Sequence, residues 1–308
     1  QAEEAVSETE SQIQELEKQL SRTLPDSDVS RINRNGTTPT TGIAAGTWAL
    51  LEAALEYRDA TDGAFDITIA PVMDAWGFTG DSFRVPERSE LDELLKHVNS
   101  DEIQIQEEPA HSVTLGEGQA IDLGGIAKGY TSDWVEQTFR ANGIESGKIS
   151  LGGNVFVLGG KPDGSDWRVG IKDPRNESGL AAILSLRDAY AITSGGYERY
   201  FEENGKTYHH IIDPSTGYPA DSGLLSVTVV AADNGPDWAG AGNGAMCDAF
   251  STALFVMGEE QALDFWRNGG YDFDLVLVTE DGRVVITAGL ADRLEEVKDS
   301  GYTYETVS

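Results

Sequence analysis

Asp248-Ala249-Phe250-Ser251-Thr252 places a carboxylate and a hydroxyl four residues apart. On a helix that spacing puts both on one face. A carboxylate, a hydroxyl and loop carbonyls are the oxygen ligands that Mg²⁺ accepts while keeping positions for water or phosphate. Spacing alone is better met by an aspartate favourably placed near a helix N-terminus. A second candidate is Gly124-Gly125-Ile126-Ala127-Lys128. Glycines just before a helix let the backbone approach a ligand and aim free N–H groups at an anion, with Lys128 as counter-charge. The spacing is neither the dinucleotide fingerprint nor the phosphate-loop motif.

Two of the 4 histidines stand together in His209-His210-Ile211-Ile212-Asp213-Pro214-Ser215-Thr216-Gly217, ahead of a tight turn. Adjacent residues of an extended segment face opposite ways, so one imidazole can enter a given cleft while the other points away. Trp76-Gly77-Phe78 beside a turn offers either cover for a planar ligand or plain core.

The elements that must position these groups follow from periodicity. Residues 3–20 read as a helix with Val6, Ile13, Leu16 and Leu20 along one stripe. Residues 40–60 read as a second helix, and 64–71 as an alternating stretch ending at Pro71. A charged loop over 79–90, a short helix over 91–98 and a strand pair over 103–115 come next. The glycine turn then leads into a helix ending near 142. Strands are expected at 149–151, 155–158, 167–171, 182–186, 189–193 and 225–230, with turn signals between them that favour antiparallel pairing. A glycine-rich loop over 235–244 precedes a helix over 245–257, and 275–279 with 283–287 forms a hairpin around Asp281-Gly282.

Asp+Glu exceed Lys+Arg by 53 to 22, a net charge of -31. Such a surface repels phosphate backbones and excludes a nucleic-acid partner. An anionic small ligand needs local neutralisation here. The apolar share of 39% is that of a globular chain. No apolar run reaches the length of a membrane helix, and the opening Gln1-Ala2-Glu3-Glu4 is not a signal peptide. The single Cys247 rules out an intrachain disulfide framework.

Taken together and in order, Ser27-Asp28-Val29-Ser30-Arg31-Ile32-Asn33, Gly63-Ala64-Phe65-Asp66-Ile67-Thr68, Trp76-Gly77-Phe78, Asp122-Leu123-Gly124-Gly125 through Tyr130, Thr193-Ser194-Gly195, His210-Ile211-Ile212-Asp213-Pro214 and Asp248 through Thr252 closely resemble the ApbE family of FAD:protein FMN transferases. The resemblance spans about residues 20 to 290. It implies an α+β fold of largely antiparallel sheets with packed helices, related to the T-fold. The expected division is an N-terminal helix over 1–22, the transferase domain over 23–290 and an acidic tail over 291–308.

The same resemblance implies a Mg²⁺-dependent transfer of FMN from FAD to a threonine hydroxyl of a target protein, with AMP leaving. Ala64, Phe65, Asp66, Asp122, Lys128, His210 and Ile211 are then FAD contacts. The metal falls to the Asp248 carboxylate, the Thr252 hydroxyl and the carbonyls of Gly125 and Ser251. His210 is the general base and shares the catalytic role with Asp248. The implied partners are acceptor subunits of membrane redox complexes, and the implied location is the periplasm or cell envelope, by a lipid anchor or signal absent from this chain. Family members usually open with a strand bearing Met-Gly-Thr, and this sequence starts after the point where that strand should lie; they often carry a tyrosine over the flavin where this sequence has Thr23. FAD hydrolysis to FMN and AMP, and FAD binding without turnover, are the competing readings.

Overall fold

The computed structural model describes residues 2–80, 82–107, 109–235, 238 and 240–308. Gln1 of the first expected helix, Asp81 of the charged loop, Glu108 between the expected strand pair, and Pro236, Asp237 and Ala239 of the glycine-rich loop lie outside the described residues.

Helix α1 (Ala2–Leu20) buries Ala5, Thr9, Leu16 and Leu20. Val6, expected on the inner stripe, is 55% exposed, and the buried stripe runs through Ala5 and Thr9 instead. Helix α2 (Asp28–Asn35) starts at Ser27, whose Oγ accepts from the Ser30 N–H. Residues 40–44 are not helical. Thr40 and Thr41 form a short strand, β1 (Thr40–Thr41), and α3 (Ala45–Ala60) begins only after Gly42 and Ala44.

The 64–71 stretch departs from its alternating pattern. It folds as a 3₁₀ turn over Ile67–Ile69 that runs into α4 (Ala70–Trp76), with Pro71 in the helix's first turn. A proline fits there because its missing N–H would have no intrahelical partner. After α5 (Arg88–Leu94), strands β2 (Gln104–Gln106) and β3 (Ser112–Thr114) join β1 in a small sheet of order β1-β3-β2.

The scaffold proper starts at α6 (Ala127–Ala141). Strands β4 (Gly147–Leu151), β5 (Asn154–Leu158), β6 (Trp167–Lys172), β7 (Leu180–Leu186) and β8 (Ala189–Gly195) follow, then the hairpin β9 (Tyr200–Glu203) and β10 (Lys206–His209). After β11 (Leu224–Ala232) come α7 (Asn243–Met257), α8 (Glu259–Asn268), β12 (Asp274–Thr279) and β13 (Arg283–Thr287). Residues 291–308, expected as a tail, carry β14 (Leu294–Glu296) and β15 (Thr303–Val307).

The central sheet has seven strands in the order β15-β13-β12-β11-β8-β5-β4. Its pairs are antiparallel except β13 with β15. Alternation along the strands feeds two cores. On β8, Tyr190 and Ile192 face the helices, whereas Ala189 and Ala191 face the second sheet, β14-β7-β6. Helix α7 lies on the first face, across β8 and β11 and against α6, and is buried on almost every side.

A third, smaller core joins α4 and α5 to the β9–β10 hairpin. Trp76 and Phe78 are fully buried with Leu91 and Ile212, and Trp76 Nε1 donates to the Gly217 carbonyl at 2.7 Å. Trp76 is therefore core, and it pins the turn that follows His210. Among the described residues no helix is long and apolar enough to cross a membrane.

Candidate active site

A cleft of about 470 Å³ opens where the N-terminal turn of α6, the middle of α7, the end of β8 and the segment after β10 meet. Gly124, Gly125 and Lys128 come to it from α6 and the turn before it, Asp248 and Thr252 from α7, Ser194 from β8, and His210 and Ile211 from the hairpin's exit. Ala64, Phe65, Asp66 and Asp122 complete the set of expected residues on its wall. Ser251 lies beneath the lining: its hydroxyl donates to the Asp248 carbonyl at 2.9 Å and meets Ser194 Oγ at 2.7 Å.

The Asp248 corner has the chemistry of a hard-cation site. Asp248 is only 4% exposed, yet forms no ion pair among the described residues and faces the cleft. One carboxylate oxygen accepts the Gly129 N–H at 2.7 Å. Burial pushes its carboxyl above the usual carboxylate range, and Lys128 and the Gly129 N–H only partly offset this. Asn154, fully buried at the start of β5, has neither amide atom hydrogen-bonded among the described residues. Thr252 Oγ1 stands one turn on, close enough to Gly125 that a Cβ there would lie 3.8 Å from it. A Mg²⁺ ion fits this donor set, because one carboxylate, a hydroxyl and backbone oxygens leave positions for phosphate and water. Among the described residues no group of three or more His, Cys, Asp or Glu could hold a metal.

His209 and His210 do point apart. His210 lines this cleft, and His209 lines a second cavity of about 870 Å³ behind the hairpin. The backbone N–H and Nδ1 of His210 lie 3.0 and 3.1 Å from the Arg199 carbonyl oxygen. A carbonyl only accepts, so Nδ1 carries the proton and Nε2 keeps its lone pair. Burial lowers the His210 pKa to about 4, so the ring is neutral near pH 7. His209 bridges Ala220 O at 3.1 Å and the Ile211 N–H at 3.3 Å and stands edge-on to Phe255.

Two expected flavin contacts have carboxylates already engaged. Asp66 Oδ1 accepts from the N–H and hydroxyl of Thr68 and from the Ser100 hydroxyl, and Oδ2 accepts the Ser100 N–H at 3.2 Å. Asp66 thus lines the cleft with its carboxylate held by Thr68 and Ser100. Asp122 Oδ1 accepts the Gly124 N–H at 2.7 Å and Oδ2 accepts from Arg22 at 3.2 Å. This aspartate shapes the glycine turn.

Arg22, Glu198 and Arg199, which no sequence motif marks, also line the cleft, as does Phe78. Arg22 bridges Asp122 and Asp74, the latter at 2.7 Å. Glu198 has its carboxyl raised chiefly by burial. Lone charged residues in loops carry no pattern. Phe78 had a signal, the aromatic pair at a turn, and it is the member of that pair that reaches the cleft.

The sequence profile of the ApbE family matches residues 2–275. The FAD:protein FMN transferase of Treponema pallidum (strain Nichols) is 32% identical, covering 95% of this chain and 82% of that protein. That of Klebsiella pneumoniae (strain 342) is 33% identical, covering 94% and 86%. Among solved structures, the ApbE protein of Thermotoga maritima superposes with a TM-score of 0.82 at 33% identity, covering 96% of this chain and 89% of that one. The flavinyl transferase ApbE of Pseudomonas stutzeri gives 0.77 at 31%, covering 92% and 84%.

Proposed function

The chain belongs to the ApbE family and is a transferase, and on that premise we propose that it moves the FMN half of FAD onto a threonine hydroxyl of a protein acceptor, with Mg²⁺ at Asp248 and AMP as leaving group. The observation that carries this reading is the meeting of His210, Lys128 and Asp248 on one cleft. A base, a cation and a hard-metal carboxylate are what phosphoryl transfer to a hydroxyl needs.

Phe65 and Phe78 supply apolar wall for the isoalloxazine ring. Lys128 gives the pyrophosphate a cation in a chain whose net charge is -31. The carboxylate of Asp248, the Thr252 hydroxyl and the carbonyls of Gly125 and Ser251 would hold the ion. The chemistry supplied by Mg²⁺ there is charge neutralisation on the transferred group and its alignment for in-line displacement. His210 Nε2 takes the hydroxyl proton as the threonine oxygen attacks the FMN phosphorus. A new phosphate ester bond forms, the P–O bond to the AMP phosphate breaks, and its electron pair leaves with AMP.

The test is to incubate the protein with FAD, Mg²⁺ and a peptide bearing a threonine acceptor, and to follow AMP and peptide mass together. The expected result is AMP release matched by a peptide heavier by one FMN, both lost in EDTA. AMP with free FMN and an unchanged peptide would replace transfer by hydrolysis. Intact bound FAD in the presence of metal and acceptor would make the protein a flavin binder.

A further inference from the structure

Helices α6 and α7 hold each other through the same five-residue pattern used twice. Gly129-Tyr130-Thr131-Ser132-Asp133 lies on α6 and Gly244-Ala245-Met246-Cys247-Asp248 on α7, each with an aspartate one turn after a glycine. The helices cross antiparallel with the two glycines in contact. A Cβ on either would run into the other's carbonyl oxygen, and one on Gly129 would also lie 2.6 Å from Asp248 Cβ.

The hydrogen bonds are reciprocal. The Gly129 N–H, in the first turn of α6, donates to Asp248 Oδ2 at 2.7 Å. The Gly244 N–H, in the first turn of α7, donates to Asp133 Oδ1 at 2.7 Å. Asp133 Oδ2 further accepts the N–H groups of Gly242 and Ala245 at 2.9 and 3.0 Å, and Asn234 Nδ2 reaches Oδ1 at 3.0 Å. Each carboxylate thus satisfies backbone donors that the other helix leaves unpaired at its start.

The two aspartates differ in what lies beyond them. Asp133 is sealed from solvent, whereas Asp248 opens on the cleft. The cap residue of α7, Gly242, has no side chain to fix where the helix begins, so the anchor comes from α6. Mg²⁺ demands near-ideal octahedral geometry of its ligands. The start of α7 must therefore be held as firmly as the ligands it carries.

We propose that Asp133 is the positioning counterpart of Asp248: by holding the N-terminus of α7 it sets where Asp248 and Thr252 stand against the Gly125 turn, and so sets metal affinity. This rests on the reading that Mg²⁺ binds at Asp248. The test titrates Mn²⁺, followed by its EPR signal, into the full chain with FAD, and separately measures metal-free FAD binding by flavin fluorescence. Asp133→Asn is expected to weaken Mn²⁺ binding about tenfold or more, the range for outer-shell partners of metal ligands, with metal-free FAD affinity unchanged. Unaltered Mn²⁺ affinity in a folded Asp133→Asn protein, even one that melts earlier, would overturn the proposal, since a purely structural role gives that result. Asp133→Ser, which keeps one acceptor, serves if Asn does not fold. Asp248→Ala separates the two readings: if it still binds Mn²⁺ the metal reading itself falls, and if it loses Mn²⁺ while Asp133→Asn does not, only the positioning role falls.

Discussion

His210 gives both its backbone N–H and its Nδ1 to one acceptor, the carbonyl oxygen of Arg199, at 3.0 and 3.1 Å. The β9–β10 ladder places these residues opposite each other, because His209 already pairs with Tyr200. The ring is thereby fixed in one tautomer by the backbone of the hairpin that carries it.

That contact and the burial of the ring predict an unusual titration. The pKa of His210 is lowered to about 4, below the ordinary histidine value, since burial penalises the imidazolium. A base whose folded pKa is depressed is ready at any pH above that pKa and is lost only as pH falls through it. Imidazole ¹⁵N shifts of His210 are therefore expected to remain those of the neutral Nδ1–H form from pH 8 down to about 5. The linked stability has the same sign: it is complete above the unfolded value and declines as pH falls toward the folded one. A ring that titrates near 6.5 would refute the assignment.

The opposite orientations of His209 and His210 predict opposite phenotypes. His210→Ala removes the base and is expected to slow single-turnover flavin transfer by about 10²- to 10⁴-fold while leaving the melting temperature nearly unchanged. His209→Ala breaks the bridge to Ala220 and the edge contact on Phe255, so it is expected to cost about 1–3 kcal/mol of stability with the transfer rate kept. Parallel rate and denaturation measurements on the two variants decide it. Equal loss of rate in both would mean that the hairpin acts as a unit.

How legible this site is from sequence depends on whether a residue's role is carried by its neighbours in the chain. Gly124, Gly125, Lys128, Asp248 and Thr252 sit in short motifs, and all of them line the cleft. The two-faced histidine pair needs nothing beyond the alternation of a strand. Arg22 is different, because its meaning comes from Asp74 and Asp122, 52 and 100 positions away. Asp66 is intermediate: its motif is plain and it lines the cleft, but Ser100 engages the carboxylate from outside that motif. The Asp133–Gly244 contact also joins distant segments, although its repeated Gly-to-Asp spacing is visible once both helices are placed. In the fold, Pro71 ends a strand or starts a helix with equal ease, and β15 is an edge strand whose partly exposed residues resemble a polar tail.

The crossing of α6 and α7 sets two effects of Gly129→Ala against each other. Helix propensity alone favours alanine by about 1 kcal/mol. The added Cβ would instead press on the Gly244 carbonyl and lie 2.6 Å from Asp248 Cβ, and overpacking of this kind typically costs about 1–3 kcal/mol. With backbone on the opposing side unable to rotate away, the clash wins. A fall in the urea midpoint at unchanged m-value is expected. A variant as stable as the parent would mean that the helices are not in contact at this point.

Arg22 is the last test, because it separates neutralisation of the cleft from the chemistry performed in it. Its guanidinium, 15% exposed, spans Asp122 on the cleft wall and Asp74 outside it. Arg22→Ala would leave the Asp122 carboxylate without its cation, beside the site proposed for an anionic pyrophosphate. FAD binding, followed by flavin fluorescence, is expected to weaken about tenfold, equivalent to about 1.4 kcal/mol. Charge repulsion is screened by salt, so the loss is expected to shrink as ionic strength rises. Lysine at this position should recover only part of the affinity, since an ammonium cannot span two carboxylates as a planar fork does. Bound flavin should still be transferred at the parental rate, because His210 and the Asp248 corner are untouched. A salt-independent loss would assign Arg22 a packing role, and a loss in transfer rate at saturating FAD would place it closer to the reacting phosphate than its bridge to Asp74 and Asp122 implies.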